Sequence, residues 1–136
     1  MANPNQRFPF ATEAITTGIR EATITGQPYP IKGWLVYATN LIHAMPNQEE
    51  TIRAIRALDL LVVVDVIPSE IAGWADVVLP EATYLERYDD LNVETFREPF
   101  IALRQPVVTP PADQKPNWWI AREFALKLGL GAYYPW

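Results

Sequence analysis

Polar side chains follow three short apolar runs of this sequence. Asn40 closes the run GWLVYATN, Asp65 stands near the end of LLVVVDV with Ser69 four residues later, and Glu81 follows VVLP and leads to Arg87. Buried strands that end in such groups deliver them to the edge of a sheet. In open parallel sheets, ligands bind beyond the carboxyl ends of the strands. The pattern therefore predicts an edge that holds a polar ligand.

The same residues also have structural explanations. Asn often forms loop turns, which would account for Asn40, and Asp65 is placed to cap the short helix that follows Ser69. The charged stretch 86–90 is typical of a solvated surface run. His43 is interpreted as a loop residue rather than a ligand. From these residues alone, both explanations stay open.

The elements that would position these residues alternate between buried strands and helices. In chain order, we predict a strand over 33–40, a helix over 47–58, a strand over 60–66, a short helix over 69–74 and a strand over 76–79. The helix over 47–58 is well marked, because Asn47 is a good N-cap and Glu50 completes a pair that resembles a capping box. This alternation predicts an α/β fold with a mostly parallel sheet and right-handed crossovers.

The flanking segments complete the predicted organisation. The predicted flanking elements are an extended arm over 1–10, a helix over 11–24, a strand at 101–103 inside a loop-rich stretch, and a last helix from about 115 to 129. Proline near the start of that last helix is well tolerated. We therefore divide the chain into an arm and helix over 1–32, one α/β domain over 33–130 and a tail over 131–136.

Composition excludes several kinds of site. The 136 residues include no cysteine, one histidine and one serine, so zinc–thiolate sites, iron–sulfur ligation and multi-histidine metal centres are excluded within this chain. Neither a glycine-rich dinucleotide loop nor a P-loop is present. A net charge of -5 argues against nucleic acid and anionic membranes as partners. No apolar run is long enough for a membrane span, so direct membrane insertion is not expected.

One long stretch of the sequence is specific enough to compare with a known family. The run VVVDVIPSEIAGWADVVLPEATYLER over 62–87, the upstream YATN and the downstream QKPNWWIAREFALKLG resemble the signature of the large molybdenum oxidoreductases that carry molybdopterin guanine dinucleotide, the dimethyl-sulfoxide-reductase family. LPEATYLERYDD and KPNWWIA look most like the catalytic subunits of polysulfide and thiosulfate reductases. The resemblance implies a Rossmann-like, three-layer domain that grips one of two pterin cofactors by its guanosine end.

The resemblance also implies cofactor-binding residues. Those carried over are Asn40, Val64, Asp65, Ser69, Arg87 and Asn117. Asp65 or position 117 would accept the paired N–H donors of guanine, and Arg87 suits the anionic diphosphate or a ribose edge. Two positions depart from the family pattern: Ala38 replaces the usual Gly, and Asn117 stands where Asp is more usual. The loss of charge at 117 should weaken guanine pairing there or shift it to Asp65.

The implied function belongs to a longer protein. The family's iron–sulfur cysteines, molybdenum ligand and C-terminal barrel are missing here, so we expect a fragment that is inactive by itself and holds neither the bis-(molybdopterin guanine dinucleotide) nor its molybdenum. The complete enzyme would reduce polysulfide, sulfur or thiosulfate on the outer face of the cytoplasmic membrane after twin-arginine export. Its implied partners are the rest of the catalytic subunit, an iron–sulfur electron-transfer subunit and a membrane anchor subunit. The alternatives are a cofactor-free α/β interaction domain, or the same fragment of an arsenate reductase or formate dehydrogenase relative.

Overall fold

The computed structural model describes residues 15–89, 91–93, 95 and 97–134. Its helices and strands, in chain order, are α1 (Thr16–Thr25), β1 (Gly33–Tyr37), α2 (Leu41–Ala44), α3 (Gln48–Arg56), β2 (Leu60–Asp65), a first 3₁₀ helix (Glu70–Trp74), β3 (Val77–Pro80), α4 (Asn117–Lys127) and a second 3₁₀ helix (Gly131–Tyr133). The chain forms two compact units that divide between Leu79 and Pro80.

The sheet of the first unit is parallel, as the alternating pattern predicts. Its three strands lie in the order β1-β2-β3, and β1 pairs with β2 in a register that runs from Gly33 opposite Leu60 to Tyr37 opposite Val64. The connection between these two strands contains α2 and α3. The predicted α/β fold with a parallel sheet is therefore confirmed, and β1 and β2 end at the same edge.

The core of the first unit lies on one face of this sheet. Alternate residues of the two long strands face it, because successive side chains of a strand point to opposite faces. The buried core cluster comprises Trp34, Val36, Ile42, Ala54, Ile55, Leu61, Val63 and Ile71. On the opposite face, Leu35 and Leu60 are 58% and 47% exposed. The helices of the first unit that contribute to the core cluster thus cover the core face of the sheet, and Val64 is buried on the other.

Helix α1 is fastened to this core by polar contacts as well as by packing. The indole N–H of Trp34 donates to the Thr23 hydroxyl at 3.1 Å, and the Arg20 guanidinium donates to the carbonyl oxygens of Pro46 and Asn47 at the start of α3. Gly26, in the left-handed region at φ 73°, ends the helix. Residues 11–14 of the predicted helix, and the predicted arm over 1–10, lie outside the described residues.

Helix α3 begins as its sequence predicts. The Asn47 side chain accepts a hydrogen bond from the backbone N–H of Glu50 at 3.3 Å. Asn47 has a φ of 59°, a conformation that Asn tolerates better than most residues. The capped start of the predicted helix is therefore confirmed, with the helix two residues shorter at its carboxyl end.

Two sequence predictions were wrong. Residues 41–44, predicted as loop around His43, form the one-turn helix α2. The predicted strand at 101–103 is replaced by a single antiparallel bridge between Asn92 and Ala102; Ile101 is mostly exposed there and gains no burial from a ladder. The segment predicted as a tail contains the second 3₁₀ helix.

The second unit has little regular structure before its helix. Helix α4 starts directly after Pro116, as predicted, and Ile120 is its buried residue. A parallel bridge between Glu81 and Lys115 joins the start of the unit to the segment before α4. The predicted single domain over 33–130 thus contains parts of both units. No helix among the described residues is long and apolar enough to cross a membrane.

Candidate functional site

Several predicted site residues lie at the carboxyl edge of the sheet in the first unit. Asn40 follows β1 and is the N-cap of α2. Asp65 is the last residue of β2, and Ser69 is the N-cap of the first 3₁₀ helix. Since β1 and β2 are parallel neighbours, these groups share one edge. Together with Glu70 and His43, which contact each other beside Asn40, they form what we call the rim (Asn40, His43, Asp65, Ser69 and Glu70).

The Asp65 carboxylate organises the turn that leaves β2. Its Oδ1 accepts hydrogen bonds from the backbone N–H groups of Val66 at 2.7 Å and Ile67 at 3.4 Å. Its Oδ2 accepts from the Ser69 hydroxyl at 2.8 Å. Asp65 therefore has a structural role in the turn between β2 and the first 3₁₀ helix, although none of these three hydrogen bonds comes from a backbone N–H of that helix. A carboxylate has about four acceptor sites, so three hydrogen bonds leave capacity for another donor.

Val64 takes part in the sheet. Its side chain is buried, and its carbonyl oxygen accepts a hydrogen bond from the Ala38 N–H at 3.0 Å. Ala38 has a φ of 52°, in the left-handed region that favours glycine. The family's Gly at this position, implied by the resemblance, therefore has a backbone reason: the chain turns here from β1 towards Asn40.

The Asn40 side chain has one satisfied and one unsatisfied end. Its Nδ2 donates to Oε2 of Glu70. Its Oδ1 is shielded from solvent and has no hydrogen-bond partner in the described part of the chain. The side chain does not cap α2 either, so the loop-turn explanation of Asn40 finds no hydrogen bond to support it. A buried acceptor without a donor costs roughly 1–3 kcal/mol, so a bound molecule that supplies a donor would remove this cost.

Sequence reasoning missed Glu70 and His43 as rim residues. His43 Nε2 lies 3.3 Å from Oε1 of Glu70. The pKa of Glu70 is lowered, first by a hydrogen bond from its own backbone N–H and then by the hydrogen bond from His43. Glu70 is consequently an ionised, acceptor-only group at neutral pH. The one available signal was its place directly after Ser69 in the signature, and nothing local linked His43 to it.

Arg87 lies in the second unit, in a network of charges. Its Nη1 contacts Oε1 of Glu81, and its Nε donates to Oδ1 of Asp89 at 2.8 Å. Arg104 donates to the other oxygen of Asp89. The side chains of Arg87 and Glu81 are only 15% and 2% exposed. These residues therefore form a mostly buried ion network rather than a solvated charge run; Asp90 lies outside the described residues.

The network sets the ionisation of its middle carboxylate. Burial raises the pKa of Asp89, but hydrogen bonds from Arg87 and then from Arg104 outweigh that effect, and the net pKa is lowered. Near this network, Glu86 accepts a hydrogen bond from the Thr83 N–H at 2.8 Å and closes the turn that follows Ala82. The stretch after Pro80 thus uses its charges to hold a loop together where regular structure is missing.

Asn117, the last predicted site residue, is the first residue of α4 in the second unit. Arg87 and Asn117 therefore belong to a different unit from the rim. Their convergence with Asn40, Asp65 and Ser69 stays a prediction.

Comparison with known proteins places the chain in a family. A model of the molybdopterin oxidoreductase family matches residues 10–127. The chain belongs to this family. Over 133 residues it is 38% identical to the thiosulfate reductase molybdopterin-containing subunit PhsA of Salmonella typhimurium, a match that covers 98% of this chain and 18% of that protein. It is 35% identical over 104 residues to the assimilatory nitrate reductase catalytic subunit of Bacillus subtilis, which covers 76% of this chain and 14% of that protein.

The fold agrees with a solved member of this molybdopterin oxidoreductase group. The structure of acetylene hydratase from Pelobacter acetylenicus matches with a TM-score of 0.80 and 31% identity, over 93% of this chain and 17% of that chain. The chain therefore spans less than a fifth of the length of these relatives. Among the residues that the structure describes, no three His, Cys, Asp or Glu side chains form a group that could hold a metal ion.

Proposed function

We propose that this chain forms part of the wall that holds the guanosine end of molybdopterin guanine dinucleotide in a longer molybdenum oxidoreductase. The observation that carries the proposal is the buried, unpartnered Oδ1 of Asn40 at the carboxyl edge of the sheet. This acceptor fits a nucleotide, because both guanine and ribose present N–H or O–H donors. The position beyond parallel strand ends is where open α/β sheets bind ligands.

Asp65 is the proposed acceptor for guanine. Guanine offers two adjacent donors, N1–H and the exocyclic amine, and the acceptor site left on Oδ2 of Asp65 can take one of them. The three internal hydrogen bonds to Asp65 fix the carboxylate before a ligand arrives, which lowers the entropic cost of binding. Ser69 supports this orientation through Asp65, and Val64 contributes backbone. Asn117, a mixed donor and acceptor, is the second proposed partner of the base.

Arg87 is the proposed partner of the diphosphate or ribose edge, although two carboxylates already contact its guanidinium. Its contacts with Glu81 and Asp89 offset most of its charge locally. We therefore propose that it acts by orienting the loop after Pro80 as well as by attracting the cofactor's anionic part.

For the complete protein, we propose a reductase of polysulfide, sulfur or thiosulfate. The support is the 38% identity to a thiosulfate reductase subunit over nearly the whole chain. When bound, the cofactor supplies the molybdenum centre for electron transfer. The rest of the catalytic subunit, an iron–sulfur subunit and a membrane anchor on the outer face of the cytoplasmic membrane are the proposed partners. A formate dehydrogenase is the second candidate, because the F420-dependent formate dehydrogenase subunit alpha of Methanocaldococcus jannaschii is 36% identical over 101 residues.

Titration of the 136-residue chain with guanosine diphosphate tests the binding proposal. We expect weak, base-specific binding, with adenosine diphosphate as the control nucleotide, and chemical-shift changes at the rim. In Asn40→Ala the affinity should fall by about threefold to tenfold, since a neutral hydrogen bond contributes about 0.5–1.5 kcal/mol. Asp59→Ala, at the opposite edge of the sheet directly before β2, should leave the affinity unchanged. Equal or absent binding of the two nucleotides would favour a cofactor-free interaction domain.

A further inference from the structure

The orientation of the Asn40 amide is fixed by chemistry. Glu70 is an ionised carboxylate, and a carboxylate can only accept hydrogen bonds. The group that Asn40 turns towards Oε2 of Glu70 must therefore be its Nδ2 donor. This directs Oδ1 away from Glu70 and leaves it as the unpartnered acceptor of the amide, which a donor must meet.

Glu70 is itself held from a second direction. His43 Nε2 contacts the other carboxylate oxygen, Oε1, at 3.3 Å. His43 belongs to α2, whose N-cap is Asn40, and Glu70 is the first residue of the first 3₁₀ helix. The carboxylate thus bridges the two ends of one helical turn, and rotation of the Asn40 amide would break one of these contacts.

The unsatisfied oxygen has no internal use. It neither caps α2 nor bonds to any donor in the described residues, and it is shielded from water. The Asn40 residue as a whole is only half-buried, so it lies near the surface rather than in the core. Because Oδ1 is already shielded from water, little hydration is lost when a ligand donates a hydrogen bond to it. A ligand without a suitable donor leaves Oδ1 unpaired and therefore binds more weakly.

We propose that Glu70, braced by His43, is a positioning residue that locks the Asn40 amide so that the rim demands a hydrogen-bond donor from the nucleotide. The donor is either the exocyclic amine of the base or a ribose hydroxyl. This inference rests on the proposed function and adds to it the source of selectivity. Neither Glu70 nor His43 needs to touch the ligand.

The first arm of the test needs no ligand. In ¹⁵N-labelled chain, we expect the Asn40 side-chain amide protons to shift and exchange faster in Glu70→Ala than in the wild type. Glu49→Ala, another exposed glutamate of the first unit, is the matched control and should leave them unchanged. An Asn40 amide that is the same in Glu70→Ala and the wild type overturns the inference, whatever the chain binds.

The second arm measures selectivity with three probes. These are guanosine diphosphate, inosine diphosphate, which lacks the exocyclic amine, and 2′,3′-dideoxyguanosine diphosphate, which lacks the ribose hydroxyls. The analogue without the relevant donor should bind the wild type about threefold to tenfold more weakly. This discrimination should fall towards onefold in both Asn40→Ala and Glu70→Gln, because a glutamine lets the amide flip. The other analogue should keep its wild-type ratio, and Glu49→Gln should behave as wild type.

The outcomes separate the two proposals. Discrimination that persists in Glu70→Gln while it is lost in Asn40→Ala supports the nucleotide site but overturns the positioning role of Glu70. Absence of guanosine diphosphate binding in the wild type contradicts the proposed function for this chain, and the amide measurement then decides the positioning role alone.

Discussion

The rim residues show that a sequence can predict where a side chain lies without predicting what it contacts. The sequence predicted Asn40, Asp65 and Ser69 at one sheet edge because parallel strands end together, and all three lie there. It did not predict Glu70 or His43, since their contact links α2 to the first 3₁₀ helix. Contacts of that kind depend on tertiary packing, which neither spacing nor local propensity encodes.

Ala38 offers a direct test of backbone strain. With φ at 52°, an L-alanine is strained by roughly 1–2 kcal/mol, and glycine removes that strain while adding about 0.4–1 kcal/mol of unfolded-state entropy. We expect Ala38→Gly to raise the free energy of unfolding by about 0.5–1 kcal/mol, measured by urea denaturation. Ala44→Gly, in the regular helix α2, is the control and should lower it. A loss of stability in Ala38→Gly would contradict the strain argument.

Asp65 should have two separable effects. Asp65→Ala removes the hydrogen bonds to Val66, Ile67 and Ser69, so we expect a loss of about 0.5–2 kcal/mol in unfolding free energy with the fold retained. In the complete enzyme, cofactor affinity should fall by about one to two decades, because a hydrogen bond to a charged group contributes about 1.5–3 kcal/mol.

The measurements for Asp65 are thermal unfolding of the chain and guanine dinucleotide content of the complete enzyme after dialysis. Asp59→Ala, 69% exposed in its side chain at the amino end of β2, should change neither. If the cofactor content stays at the wild-type level while the melting temperature falls, Asp65 only stabilises the turn after β2 and does not bind the cofactor.

At the scale of elements, prediction succeeded where burial and capping agreed. Helix α3 carries its own N-cap, and β1 and β2 are apolar runs that pair over five residues. Prediction failed at α2, which is a single turn and too short to show a period. It also failed at 101–103, where apolar residues favour a strand but the described residues form only the bridge between Asn92 and Ala102.

The ion network replaces regular structure after Pro80, so its loss should be costly. Arg87→Ala removes the guanidinium that contacts the buried Glu81 carboxylate, and we expect a loss of about 3–5 kcal/mol, seen as faster hydrogen exchange at residues 81–89. Arg104→Ala, 56% exposed, should lose under about 1 kcal/mol. The double variant Glu81→Gln/Arg87→Met removes both charges and should be more stable than Arg87→Met alone. If it is no more stable, packing rather than charge holds this loop.

Asp89 makes the same loop sensitive to acid. Its pKa is lower in the folded chain than in the unfolded one, where it is about 3.9. Its stabilising contribution is therefore complete above that unfolded value and is lost as the pH falls through the folded value. We expect the unfolding free energy of Asp89→Asn to fall less steeply than that of the parent chain as the pH drops below about 4. The comparison is made in a Glu70→Gln background, because the pKa of Glu70 is also lowered. An unchanged acid limb would assign the loss to other carboxylates.

For the whole molecule, one face of the sheet in the first unit is only partly covered: Val64 is buried there, whereas Leu35 is 58% exposed and Leu60 is 47% exposed. Parallel sheets normally have both faces covered, yet Leu35 and Leu60 are largely exposed here, and β1 lies at the edge of the sheet. The sequence could not reveal this, because an apolar run is compatible with one covered face or two.

This exposed face should govern the behaviour of the isolated chain in solution. We expect Leu35→Lys to reduce concentration-dependent self-association in sedimentation velocity while the melting temperature stays within a few degrees, because an exposed apolar face beside an open strand edge favours association. Val36→Lys, one residue further on and buried in the core, should unfold the first unit. Equal self-association of Leu35→Lys and the wild type would show that the chain does not self-associate through this face.

The rim is built from one uninterrupted stretch of chain. Asn40, His43, Asp65, Ser69 and Glu70 all fall between the start of β1 and the end of the first 3₁₀ helix, and their mutual hydrogen bonds stay within that stretch. Most binding sites draw on distant segments and cannot be moved in one piece. Here, recombination between relatives that exchanges only 33–74 would transplant the rim together with its mutual hydrogen bonds. A hybrid enzyme should therefore inherit the part of the nucleotide preference that Asn40 and Asp65 set, whereas the part proposed for Asn117 should stay with the host.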